Sequence, residues 1–202
     1  MISRRVWLSA AVLALAMSSL PSAAVSAAPR PSDTGWSVQR DADALRDTGV
    51  TGVAVRLETP RGTTTASSGA GDLVTHRPAA NDGSMTGTAR DLNRFFTALA
   101  KGRLLRPAEL TAMRTTVPVP RDSGHPTGTR DGLGLFLTPL SCGGGYLGHG
   151  GSGFGYVIRT ATTTDGRRTI TVSAHSRSAD QQVAAHQEDA LRDLIDHALC
   201  RT

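Results

Sequence analysis

Lysine is nearly absent. Of the 22 basic residues only Lys101 is a lysine, so chemistry that uses a lysine amine as its base has one place to occur. Asparagine is as scarce, at Asn81 and Asn93. Aromatic residues make up 4% of the chain, and the arginines are scattered rather than clustered on one segment. Without a basic stripe or stacking rings, a nucleic-acid partner has no support. The net charge of +5 allows a general attraction to anionic polymers and nothing more specific.

Cysteine is limited to Cys142 and Cys200. In an oxidising compartment the pair reads as one disulfide, tying the C-terminal helix to a glycine-rich strand region; in a reducing one it reads as two free thiols. Long apolar runs are also missing, apart from Val6 to Leu20. That run comes after Arg4 and Arg5 and precedes the small residues Val25, Ser26 and Ala27, the layout of a signal peptide over residues 1–27. It is too short for a stable membrane span. Ser3-Arg4-Arg5-Val6-Trp7-Leu8 fits a twin-arginine signal as well as an ordinary Sec signal, and both readings place the chain outside the cytoplasm.

Residues 28–34 read as a flexible lead-in, and residues 35–202 as a single domain, since 202 residues with 39% hydrophobic content bury one core. Val38, Ala42 and Leu45 recur at helical spacing before Gly49. The stretches at 50–59 and 63–74 predict two strands joined at Pro60-Arg61-Gly62. Thr88 as N-cap with Asp91 three residues on predicts a helix carrying Leu92, Phe95, Phe96 and Leu99 on its core face, and Pro107 opens another. Residues 116–131 read as loop. Strands are predicted in 132–140, 146–151, 155–163 and 167–176, the last two joined at Thr164-Asp165-Gly166. A closing amphipathic helix turns Val183, Leu191, Ile195 and Leu199 inward. This order predicts an α/β (α+β) fold, a five-stranded antiparallel β-sheet with the N- and C-terminal helices on one face.

The most informative stretch is Tyr146 to Tyr156, "YLGHGGSGFGY", where five of eleven residues are glycine. Glycines on both sides of His149 imply a sharp turn or the close approach of another group. Gly148 to Gly153 also satisfies G-x-G-x-x-G, but the next segment, Tyr156 to Thr164, is strand-like rather than helical, which excludes a dinucleotide site. A G-x-S-x-G elbow fails because Phe154 holds its last position. His149 and Ser152, three apart on a strand, point to opposite faces and make no base–nucleophile pair. His76, His125, His175, His186 and His197 lack metal-ligand spacing and read as surface or loop residues. No cofactor or metal is called for.

Taken together, residues 49–78, 83–105 and 131–159 resemble the penicillin-recognising serine hydrolases, in particular secreted D-alanyl-D-alanine carboxypeptidases and beta-lactamase-related proteins. That family joins a Ser-x-x-Lys helix, a Tyr-x-Asn or Ser-x-Asn loop, and a strand bearing Lys-Thr-Gly, His-Thr-Gly or His-Gly-Gly. His149-Gly150-Gly151 matches the third motif. The resemblance implies that His149 helps bind a substrate carboxylate and move protons, and that the Ser152 backbone N–H is one oxyanion donor. It also implies a peptidoglycan stem peptide ending in D-Ala-D-Ala, or a beta-lactam, as ligand. An ordinary exposed strand histidine remains the plain alternative for His149.

The other two motifs are missing. Three residues before Lys101 stands Ala98, and two residues before Asn81 and Asn93 stand Ala79 and Asp91. Ser37-x-x-Arg40 is no substitute, because an arginine does not give up its proton. The gap maps to residues 80–83, where the family's nucleophile helix and helical insert would lie, so the sequence reads as an internally truncated domain. Two readings remain: an exported hydrolase in ancestry and activity, or a noncatalytic remnant that binds cell-wall peptides or nothing. Loss of the inserted helices would leave one apolar sheet face to be covered by residues 90–101 or to drive oligomer formation.

Overall fold

Ser37 caps helix α1, Val38–Asp47, its hydroxyl accepting the Arg40 N–H at 3.1 Å. This computed structural model describes residues 37–70, 87–121, 123–153 and 155–201. The expected signal peptide, the expected lead-in over residues 28–34, His76 and the expected truncation point at 80–83 lie outside the described residues. After α1 come strands β1, Gly52–Thr59, and β2, Gly62–Gly69, paired antiparallel across the tight turn expected at Pro60 and Arg61. Helix α2, Ala89–Ala100, opens with the Thr88–Asp91 capping box. Helix α3, Pro107–Arg114, starts on its proline.

The remaining strands are β3, Val117–Pro118, β4, Arg130–Asp131, β5, Phe136–Pro139, β6, Gly145–Gly153, β7, Tyr156–Thr163, and β8, Thr169–His175, before helix α4, Gln181–Cys200. They form one eight-stranded sheet in the order β2-β1-β8-β7-β6-β5-β4-β3, every pairing antiparallel. All six strands read from the sequence join this one sheet, where five were expected to form it, and two more, β3 and β4, extend it beyond β5. Both of the added strands are two residues long and sit in the stretch read as loop; a strand that short carries no alternation to detect. Among the described residues no helix is long and apolar enough to cross a membrane.

The two faces of the sheet differ in chemistry. One face packs Val53, Val55, Val157, Ile170 and Val172 against Leu45 of α1 and Leu191, Leu194 and Ile195 of α4, which makes the main core. The other face, under α2, carries Thr160, Thr162, Thr169, Thr171 and Ser173, all buried. Their hydroxyls bond in pairs, Thr160 with Thr171 at 3.0 Å and Thr162 with Thr169 at 2.7 Å. Asn93 of α2, fully buried, accepts from the Thr171 hydroxyl at 2.7 Å and donates to the Arg56 carbonyl at 3.1 Å. The apolar face expected to need a cover, or to drive oligomers, is thus a hydroxyl-lined face with its hydrogen bonds made and α2 laid over it.

That polar face rotates α2. Asn93, Phe96, Leu99 and Ala100 point inward, whereas Phe95, expected in the core, is 51% exposed. The helix turns its one asparagine to the sheet because only there does the side chain find partners of both kinds. Val183 also departs from expectation and is exposed, because burial on α4 begins at Gln187 and the first turns overhang the sheet. Cys142 and Cys200 form the disulfide, across 58 residues, tying the last turn of α4 to the β5–β6 turn. Beside it Asp196 accepts the Ser141 N–H at 2.8 Å and the Ser141 hydroxyl.

Candidate functional site

His149 lies in the middle of β6, opposite Thr160 of β7. β5 pairs with β6 only from Gly145 to Gly148. From His149 to Gly153, β6 is therefore paired on its β7 side alone among the described residues, and its other edge stands open to an extended ligand. His149 and Ser152 are both exposed there. The His149 ring stacks on Phe136 at 5.8 Å between centroids, and His125, from the loop before β4, packs on Phe136 at 4.4 Å. A cavity of about 350 Å³ adjoins this strand, bounded by His125, Phe136, Tyr146, His149, Arg159 and Glu188. Burial pushes the Tyr146 phenol above its ordinary value, against a hydrogen bond with Thr138 that lowers it.

Gly150 has a close neighbour. A Cβ there would sit 2.5 Å from Arg159 Cδ and 2.8 Å from the Ile158 carbonyl oxygen. What approaches this glycine is the chain's own Arg159, which crosses it to donate to the Gly151 carbonyl at 3.2 Å and to Glu188 of α4 at 3.1 Å. Both members of that ion pair are about a quarter exposed, so it fixes geometry more than it stabilises. The signal for Arg159 was present: counting register back from the turn after Gly153 places it opposite Gly150. The Phe136 stack had no such signal, since it depends on where a loop folds over β5.

Lys101 is elsewhere. Its side chain lies against Gly166 in the β7–β8 turn, where an added Cβ would meet Lys101 Cγ at 3.0 Å. Thr160, beside His149, is three residues before the end of β7 at Thr163. Roughly 10 Å of strand therefore separates the lysine's end of the sheet from the His149 region. Two of the other histidines correct the surface-or-loop reading. His175 ends β8 buried, edge-on to Tyr156 at 4.8 Å, and His197 of α4 bonds Asp41 of α1 at 2.9 Å. Each was placed by the packing of an element whose own pattern did not mark it.

The chain belongs to the beta-lactamase family of penicillin-recognising serine hydrolases: the family model for beta-lactamase matches residues 22–194. Among solved structures it is similar to a D-stereospecific amidohydrolase from Streptomyces sp., 31% identical over 57% of this chain and 31% of that one, with a TM-score of 0.46. The chain thus spans about a third of that amidohydrolase. It is also similar to a D-amino acid amidase from Ochrobactrum anthropi SV3, complexed with L-phenylalanine amide, at 12% identity over 77% of this chain and 97% of that one, TM-score 0.59. A penicillin binding protein from Bacillus halodurans matches at 16% identity over 77% of this chain and 48% of that one, TM-score 0.41. The amidase likeness is one of fold.

Proposed function

We propose that this chain is an exported, catalytically deficient member of its family that holds a stem peptide ending in D-Ala-D-Ala, or a beta-lactam, along the open edge of β6 without acylating it. One observation carries the reading. The third-motif strand keeps an open edge and a flanking cavity, while the chain's one lysine is packed at the other end of β7. Acyl transfer in this family needs a serine hydroxyl activated by an adjacent base, and neither Ser-x-x-Lys nor Tyr-x-Asn is encoded. A ligand on the edge would meet the Ser152 backbone N–H and the His149 ring. A lone oxyanion donor does not replace the missing nucleophile, since it stabilises a charge that never forms.

Export rests on the signal-like residues 1–27 and agrees with a disulfide in the folded domain. N-terminal sequencing of the mature chain is expected to start near Ala28. The internal truncation near residues 80–83 belongs to the same proposal and accounts for both missing motifs at once.

Calorimetry tests the binding half. A stem peptide ending in D-Ala-D-Ala should give a saturable heat that His149→Ala abolishes, with the fold of the variant confirmed by an unchanged melt. No heat from the wild-type chain contradicts the binding reading and leaves a fragment without this ligand. Turnover of the peptide above a heat-killed control contradicts the deficiency and returns the chain to the carboxypeptidases.

A further inference from the structure

Arginines that are scattered along the sequence meet at one end of the sheet. Arg61 stands in the β1–β2 turn, Arg167 and Arg168 in the β7–β8 turn, and together they line a hollow of about 350 Å³ whose only acid among the described residues is Asp165. Lys101, at the end of α2, does not line the hollow but lies against Gly166 of the same turn and adds a cation beside it.

Both turns are held by their own side chains. The Arg61 N–H donates to the Thr59 hydroxyl at 3.2 Å, and the Arg167 N–H to Asp165 at 2.9 Å. Arg168 is committed inward, donating to the Leu199 carbonyl at 3.1 Å and to the Arg201 carbonyl at the end of α4. Arg61, Lys101 and Arg167 make no salt bridge among the described residues. Asp165 takes the Arg167 N–H and the Thr163 hydroxyl, at 2.5 Å, on one carboxylate oxygen and keeps its charge, so the hollow stays net positive only because three arginines face that one acid.

We propose that this end of the sheet is a docking surface for a phosphodiester-linked anionic polymer with an aliphatic backbone. Guanidinium groups match phosphate in geometry and charge, and the hydrogen-bonded turns hold the backbones of Arg61 and Arg167 in place beside each other. Thr59, Pro60, Thr163 and Leu199 also line it, and among the described residues no aromatic ring does, so none of them stacks a base. A recessed hollow suits successive phosphates of a strand better than the flat headgroup layer of a membrane. The surface begins at Thr163, three residues along β7 from Thr160, the partner of His149, and its residues are not those of the β6 edge.

The test uses the full mature chain, with poly(glycerol phosphate) as probe and phosphatidylglycerol vesicles and oligothymidine as comparison probes. Binding to poly(glycerol phosphate) should weaken as salt rises, with a slope of about −2 for three phosphate contacts at ~0.7 each. The triple variant Arg61→Gln/Lys101→Gln/Arg167→Gln should lose roughly tenfold or more in affinity and most of that slope. A charge-matched control, Arg40→Gln/Arg90→Gln/Arg121→Gln, should keep both. All six are exposed, and matched melting curves confirm both folds. No saturable binding, equal loss in the control, or tighter binding to the vesicles or oligothymidine would each overturn the proposal.

Discussion

Arg159 reaches the Gly151 carbonyl, 3.2 Å away, by passing over the Cα of Gly150, where any side chain would block it. The third-motif strand, β7 and α4 are joined through this one guanidinium. Gly150→Ala therefore places a methyl within 2.5 Å of the Arg159 side chain and 2.8 Å of a carbonyl oxygen. The expected loss is about 1–3 kcal/mol, as for other overpacked sites. A denaturant melt measures it, and Gly151→Ala, whose nearest contact is 3.7 Å, is the control expected to fall by less.

Asn93 is the polar anchor of α2. Removing its amide in Asn93→Leu takes one buried partner each from the Thr171 hydroxyl, which keeps Thr160, and from the Arg56 carbonyl, for a loss of about 1–3 kcal/mol. The double variant Asn93→Leu/Thr171→Val should lose less than the sum of the two single variants, because both remove the same Asn93–Thr171 bond. Additive losses in the double variant would show that the bond to Thr171 is not what holds the helix.

The disulfide should matter more than any single hydrogen bond. Closing 58 residues restricts the unfolded chain by about 4 kcal/mol. Cys142→Ser/Cys200→Ser should melt lower by a corresponding amount, and reductant should lower the wild type alone.

Acid sensitivity has two assigned sources. Hydrogen bonds from the Thr88 hydroxyl and backbone N–H hold the Asp91 carboxyl below its ordinary value of 3.8. At Asp165 burial works against the shift, but bonds from the Thr163 hydroxyl and the Arg167 N–H outweigh it and the carboxyl is lowered too. A carboxyl lowered by folding contributes stability above its unfolded value, and that contribution disappears as pH falls through the folded one. Melting temperature should thus drop below about pH 4, and Asp91→Asn should make that drop shallower.

Much of this architecture was legible in the residues themselves. Ser37 and Thr88 announced their helices, Pro107 opened α3, and the turns at Pro60 and Asp165 fell where their residue types place them, because caps and tight turns are local. Motif residues His149, Gly150 and Gly151 were legible as strand. What stayed hidden depends on distance in sequence: which face α2 turns inward, decided by Thr171 lying 78 residues away from Asn93; the stack of His125 on Phe136; and the gathering of Arg61, Lys101 and Arg167 at one end. The short strands β3 and β4 were hidden for another reason, since two residues pair by opportunity rather than by pattern.

Intact-mass spectrometry after incubation of the purified mature chain with a penicillin tests the deficiency most directly. The mass should stay that of the untreated chain, with no serine carrying a drug-derived group. A stable increment equal to the ring-opened drug on any serine would contradict the account, because it would prove that a nucleophile and its base are present after all.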